Sequence, residues 1–502
     1  MVARFDACDL GLLEHQLAAQ HGPRVACATP GQVTPRALAP GEQLRGEPTV
    51  RRGGERPRRG GHGGRPERSG GRGAPEASAR GRPCRRRLYA ARTPRPRSRV
   101  LTTVVAVGAL VGAVVRPRGL HEWVPTTAGV ALLAVTGQLR IDRVADVLAT
   151  TAPIVAFLLA VTVLGAAADR GGVFDALADG TARVAGGSSR RLLLAVLVVG
   201  AATTTVLSLD ATVVFLTPAV LALARRTGAP PLPLVLAVVY VANAGSLLLP
   251  VSNLTNLLVA DRLGGAPRFA ATTWPAQLTA LVVLAAVLLV WHRRALSAPL
   301  RPPTARSVAA RPDGIALVGT GVAIVALAPA LLLTHGWGLA GATAVAAAAA
   351  ATVVHRRRRP GAPLAPPWRL GLFVAALFVL VDAAATGPLG RAVRAVLDLA
   401  GGDVVGTGVT TALAANLFDN LPAFLLVAPE VADGPPLLAA LVGANVGATV
   451  TTFGSLATLL WLAILRRSAP ELAPSPLRFL RWGLVVTPLV LLPTLLVLAA
   501  TT

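Results

Sequence analysis

The chain has 502 residues, of which 53% are hydrophobic and only 15% charged. That apolar content is well above what a soluble domain needs to fill one core, and it predicts a membrane protein. Formal charge is +25, from 49 basic against 24 acidic residues, and every basic residue is Arg. A Walker A phosphate loop requires Lys, so this chain is not expected to hydrolyse ATP itself, and it is not read as an enzyme.

Residues 1–99 are a different material from the rest. They hold 21 Arg and 8 acidic residues with abundant Gly and Pro, as in Arg51-Arg52-Gly53-Gly54 and Arg85-Arg86-Arg87. So few apolar residues cannot offset the entropy of ordering, and a disordered tail is expected. Neither aromatic interleaving nor an amphipathic period accompanies the Arg, so no nucleic-acid partner is expected. An upstream start-site artefact is the favoured explanation, with the working protein beginning near Val100 and no signal peptide before it. Cys8, Cys27 and Cys84 all fall in this tail. Residues 100–502 therefore have no thiol, which leaves oxygen and backbone groups to do the chemistry there.

From residue 100 the apolar segments run 101–115, 123–138, 152–168, 191–207, 213–224, 232–250, 254–260 and 274–291. An Arg- and Pro-rich linker, 293–313, separates them from a second series in the same order. That series runs 315–333, 337–354, 369–386, 403–418, 421–428, 436–450, 455–465 and 479–500. The expected organisation is a first transporter repeat over 100–292 and a second over 314–502. Segments 213–224 and 421–428 are too short to cross, and each follows an Asp, so each is read as the second arm of a re-entrant hairpin. The tips are Ser208 to Thr212 and Asn416 to Asn420. Polar residues then interrupt a crossing in each half, at Pro250 to Asn256 and at Thr449 to Ser455, followed by Thr458. Residues 173–186 and 389–399 read as short amphipathic connectors at the interface.

Five crossings plus one hairpin per half is an odd count, so the halves must be inserted in opposite directions. The predicted fold is all-α and polytopic, an inverted repeat whose broken helices meet at the midplane. With the first crossing starting outside, 22 of the 28 Arg in residues 100–502 lie on the cytoplasmic side. Only Arg140, Arg143, Arg262, Arg268, Arg391 and Arg394 lie outside, and both ends of the 100–502 region are expected to be extracytoplasmic. The location expected is the plasma membrane.

Non-helical chain at membrane depth survives only where it lines a protein cavity, so the four interruptions are expected to converge on one polar site. A carboxylate there is disfavoured by roughly 3 kcal/mol or more and usually has a task. Asp210 and Asp419 are taken to occupy equivalent positions in the two tips, as proton carriers or as cation ligands with Thr212, Asn416 and Asn420. The alternative is that they only cap helix N-termini. Ser252, Asn253, Thr255, Asn256, Thr451, Thr452, Gly454, Ser455 and Thr458 supply hydroxyls, amides and open backbone for a solute or ion. Asn243, Ser246, Asn445, Thr449 and a relay at Asp382 are secondary candidates. None of the seven His falls in a tip or a break, and neither a metal site nor a cofactor is expected.

At these residues the sequence resembles the arsenical pump membrane proteins. They are the arsenite permease branch of the ion-transporter superfamily, which also holds sodium-coupled dicarboxylate carriers and a type of sodium/proton antiporter. Four stretches carry the resemblance: Asp210 to Pro218, Ala244 to Leu257, Asn420 to Ala423 and Gly454 to Trp461. It implies export of arsenite or antimonite in exchange for protons, alone or beside a separate soluble ATPase. The sequence departs from the family at both tips, with Leu209 before the first Asp and Asp419 before Asn420. The remaining alternative is a sodium-coupled anion symporter, or a sodium/proton antiporter, on the same fold. The partners expected are a small inorganic solute, protons or sodium, and the lipid bilayer.

Overall fold

The computed structural model describes residues 96–115, 120–300, 313–359 and 364–502. The expected tail, apart from its last four residues, lies outside the described residues, as does most of the 293–313 linker. Every element in the described residues is helical apart from one isolated bridge between Ser188 and Pro299.

The first half comprises α1 (Pro96–Val115), α2 (Trp123–Val135), α3 (Ile141–Gly171), α4 (Val173–Ala185), α5 (Ser189–Val206), α6 (Leu209–Ala211), α7 (Thr217–Thr227), α8 (Pro231–Ala244), α9 (Leu254–Leu257) and α10 (Gly265–Trp291). The second comprises α11 (Gly314–Leu333), α12 (Gly336–Arg356), α13 (Trp368–Ala385), α14 (Pro388–Leu399), α15 (Val404–Phe418), α16 (Asn420–Val427), α17 (Pro435–Asn445), α18 (Leu456–Ser468) and α19 (Pro476–Thr501). Seven of these, α3, α5, α10, α11, α12, α13 and α19, are long and apolar enough to cross a bilayer. In α8 and α17, 14 and 11 residues make rods of only about 21 and 16 Å, short of the roughly 30 Å of hydrocarbon. Each must be continued by the chain beyond its break.

Two boundaries differ from the sequence reading. The first-half break is followed by a single turn, α9, and then turns up to Gly264, whereas the matching α18 runs 13 residues. The two broken crossings are therefore unequal. The third crossing starts at Ile141 rather than near 152, because Asp142, Arg143 and Asp146 extend it as a polar, exposed first turn.

Polar contacts between distant segments sort the helix ends onto two faces. One face holds the pairs Arg143–Asp382 (2.6 Å), Arg262–Asp433 (2.5 Å) and Arg394–Glu430 (2.5 Å). The other holds Arg226–Asp179 (2.8 Å), Arg357–Asp313 (2.7 Å) and the Arg225 guanidinium donating to the Ser468 carbonyl at 2.8 Å. On that second face Arg359 donates to the Arg170 carbonyl and Arg369 contacts His121. So α3 runs from the first face to the second, while its counterpart α13 runs from the second to the first. The repeat is inverted, as the odd count of crossings requires.

Each Asp–Arg pair also joins residues that the charge-based topology put on one side. Large apolar side chains on α10, α11 and α19, such as Val282, Val325 and Leu496, are exposed and form the surface that hydrocarbon would cover. The connectors α4 and α14 hold polar and apolar residues on opposite sides, as an interfacial helix does.

Candidate functional site

Both hairpins turn by the same backbone device. Ser208 between α5 and α6 has φ 130°, and Asp419 between α15 and α16 has φ 81°. These are left-handed conformations that cost a residue with a Cβ free energy and cluster at functional sites. Each residue caps the arm that follows: the Ser208 hydroxyl accepts from the Ala211 amide at 3.4 Å, and Asp419 Oδ1 accepts from the Leu421 amide at 3.2 Å.

This geometry corrects the expected equivalence of the two acids. Asp419 is the counterpart of Ser208, and Asp210 lies two residues further on, in the first turn of its arm. The carboxylates nevertheless face one space. Asp210, Asp419, Asn253 and Asn420 line a single cavity of about 30 Å³, closed by Leu209, Leu421 and Leu456 and by Leu158 and Phe373 from α3 and α13. That is room for about two water molecules. Asp210 Oδ1 is buried there without a hydrogen-bond partner.

Behind the first tip, Thr212 donates to the Ser208 carbonyl at 2.9 Å and shares a hydrogen bond with Thr204 at 2.8 Å. Pro218 has no amide to continue the ladder, and the chain widens into a π turn over Thr212–Leu216.

The first-half break is held by the opposite half. Asn253 Nδ2 and the Thr255 hydroxyl donate to Asn445 Oδ1 at 2.7 and 2.9 Å, and Asn445 Nδ2 donates to Asn256 Oδ1 at 2.9 Å. Asn256 in turn donates to the Ser246 and Leu249 carbonyls at 2.7 and 3.2 Å. The Ser252 hydroxyl reaches the Thr205 carbonyl at 3.3 Å, tying the break to the first hairpin.

In the second half Asn416 does this work within its own repeat. Its Oδ1 accepts from the Val450 and Thr451 amides at 3.0 and 2.8 Å, while Nδ2 donates to the Gly447 carbonyl at 2.7 Å. Gly454 is forced by this closeness, since a Cβ there would sit 2.4 Å from the Ala448 carbonyl oxygen and 2.6 Å from Asn416 Oδ1. Ser455 and Thr458 bond each other at 3.1 Å at the start of α18, and Thr452 is buried nearby. Asn253 and Ser455 share an extended backbone, with φ near −150° and ψ 148°. Counting ten residues back from each makes Asn243 the counterpart of Asn445. Asn243 donates only to Val239 of its own helix, and its Oδ1 has no partner.

Asp382 does not line the central cavity. Its carboxylate receives two hydrogen bonds from Arg143 at 3.0 and 2.6 Å near the end of α13. Sequence reasoning missed Gln277 of α10, which accepts from the Leu247 amide at 2.7 Å and donates to the Ala244 carbonyl at 3.1 Å. It thereby satisfies groups that the break in α8 leaves open. Thr487 of α19, bonded to Thr449 at 2.8 Å, is its counterpart. A Gln inside an otherwise apolar span was the available signal.

Two inverted repeats, each contributing a re-entrant hairpin and a broken helix to one buried polar site, define a polytopic membrane transporter. The profile of the citrate transporter family matches residues 100–436. The chain belongs to that family. It is 27% identical over 424 residues to the arsenical pump membrane protein of Escherichia coli strain K12, and 26% identical over 425 residues to that of Yersinia enterocolitica. Each alignment covers 80% of this chain and 98% of the relative. These matches agree with the resemblance carried by the tip and break motifs. Among solved structures, the YdaH transporter of Alcanivorax borkumensis is similar with a TM-score of 0.49 and 16% identity, over 81% of this chain and 98% of that one.

Proposed function

We propose that the protein exports arsenite or antimonite across the plasma membrane in exchange for protons, with Asp210 and Asp419 as the proton-carrying groups. The observation that carries this reading is the shared cavity, which both carboxylates line and in which one Asp210 oxygen is buried without a partner. A carboxylate so placed is costly when ionised and cheap when protonated, which is what an exchangeable proton site needs. The relatives named arsenical pump membrane proteins support the cargo. Arsenite near neutral pH is an uncharged trihydroxide, so hydroxyls, amides and carboxylates can hold it by hydrogen bonds without a thiol in residues 100–502.

In this reading the protein opens the site alternately to each side, with Asn253 and Asn420 lining it beside the two acids and with Ser252, Thr255, Asn256, Thr451 and Ser455 holding the breaks behind it. The face rich in Arg is cytoplasmic in this reading, and a separate soluble ATPase is an optional partner.

The family's description, citrate transporter, favours a second cargo, a carboxylate anion. Two acids at the site would repel such an anion unless protonated or matched by sodium. Uptake into everted membrane vesicles separates the two. The proposal expects arsenite accumulation driven by an imposed proton gradient and indifferent to sodium. Strict sodium dependence, or citrate transport without arsenite transport, would replace it.

A further inference from the structure

On the Arg-rich face, the ends of α8, α10 and α19 enclose a second cavity, of about 210 Å³. It is remote in composition from the central site, lined by Tyr240, Trp291, His292, Arg478 and Trp482 with Leu and Val side chains and no carboxylate. Tyr240 is only 3% exposed, and its hydroxyl has no hydrogen-bond partner. A buried hydroxyl left unpaired is unfavourable, so a partner from outside the described residues is expected. Stacking of its ring on Phe479, with centroids 6.2 Å apart, fixes the phenol within this space. The Arg478 guanidinium lies 4.9 Å from the Trp482 ring centre and makes no ion pair among the described residues.

We propose that this cavity binds the phosphate headgroup of an anionic phospholipid. The guanidinium would contact the phosphate and the Tyr240 hydroxyl would donate to one of its oxygens or to the adjoining ester. Two further features favour a lipid over a free anion. Trp291 and Trp482 sit at the rim, where indoles prefer the headgroup region. Beside them α10 and α19 present exposed Val290, Leu484 and Leu489, a surface suited to an acyl chain. The excess of Arg on this face adds charge complementarity to an anionic leaflet.

The test uses the full chain purified in a nonionic detergent. Lipid retention is read by native mass spectrometry and thermal unfolding is followed with phosphatidylglycerol, phosphatidylcholine or inorganic phosphate at equal concentration. Phosphatidylglycerol alone should raise the melting temperature, by mass action on the folded state. Arg478→Gln should weaken its retention about tenfold or more, and Tyr240→Phe about fivefold, as expected for losing a charged and a neutral hydrogen bond. Arg481→Gln, a neighbouring surface cation outside the cavity, should leave retention unchanged.

An equal shift with phosphatidylcholine, or equal weakening by Arg481→Gln, would overturn a specific headgroup site. An equal shift with inorganic phosphate would make it a free-anion pocket. Retention unchanged in both Arg478→Gln and Tyr240→Phe would reject the cavity altogether.

Discussion

The two hairpin tips share a backbone but not a chemistry. In the second, the residue at positive φ is itself the acid, and Asp419 Oδ1 is tied to the Leu421 amide. In the first, Ser208 takes the strained position and the cap, while Asp210 stands in the helical turn beyond it with one oxygen unpaired. An inverted repeat fixes where the chain turns, and it leaves free which residue of the turn carries the charge. The consequence is one carboxylate that doubles as a structural cap and one that does not. On the proposed mechanism Asp210 is the group freer to exchange its proton.

The largest effect expected from this difference is on transport. Asp210→Asn keeps the side-chain shape, breaks no hydrogen bond recorded for Asp210, and should leave the chain inserted and as thermally stable as the parent while abolishing proton-driven arsenite export. Resistance to arsenite in cells expressing that variant at normal membrane levels would sink the assignment. Asp419→Asn keeps the cap, because Asn is as good an N-cap as Asp, and it should impair transport with little change in stability. Asp419→Ala should lower stability as well, since the cap is lost and a Cβ residue without a local hydrogen bond must hold φ 81°.

The breaks show a parallel asymmetry. Asn445 serves three residues of the opposite half, whereas its counterpart Asn243 bonds only within α8. Asn445→Ala strands buried amide groups at about 1–3 kcal/mol for each one left unpaired. It should lower the melting temperature in detergent more than any other variant of the breaks. Asn243→Ala loses one hydrogen bond and should cost about 1 kcal/mol. A reversed order would show that the contact between the halves contributes little to holding them together.

The positions of the breaks were legible in the sequence because their cause is local. Pro250 and the closely spaced Asn253 and Asn256 cannot continue an apolar helix, and Asp210 and Asp419 cannot face lipid. What supports the breaks was not legible, because it lies elsewhere in the chain. Nothing near residue 253 announces a bond to Asn445, 192 residues away. Nothing near residue 247 announces Gln277. The register of the tips escaped for a different reason: the matching of Asp210 to Asp419 used residue type, while the backbone matches Ser208 to Asp419 by φ, which composition does not encode. The short α9 was also unforeseen, since residues 254–260 are as apolar as a true helical arm and the turns to Gly264 set its end.

Gln277 and Thr487 offer a finer version of the same comparison. Gln277→Leu leaves the Leu247 amide and the Ala244 carbonyl without their side-chain partner, about 1–3 kcal/mol for each group left unpaired. In Thr487→Val, the Thr449 hydroxyl still has the Val446 carbonyl at 3.2 Å, so about 1 kcal/mol is expected. Thermal unfolding of the two variants side by side measures whether the first break depends more than the second on the helix that follows it.

The smallest effect concerns the ends of α3 and α13, a corresponding pair of helices joined by an ion pair. The Arg143 side chain is 60% exposed and that of Asp382 25%, so the pair works in a high dielectric and should contribute about 1 kcal/mol or less despite its two hydrogen bonds. Arg143→Gln should therefore shift unfolding only slightly, and less still in high salt, which screens such pairs. Its diagnostic value is for Asp382. If that carboxylate only anchors α13 to α3, Arg143→Gln and Asp382→Asn will have the same small effect on stability and neither will change the pH dependence of transport. A displaced pH profile in Asp382→Asn alone would instead make it a proton-relay residue, and would extend the path of the proton from the central cavity to the end of α13 that Arg143 caps.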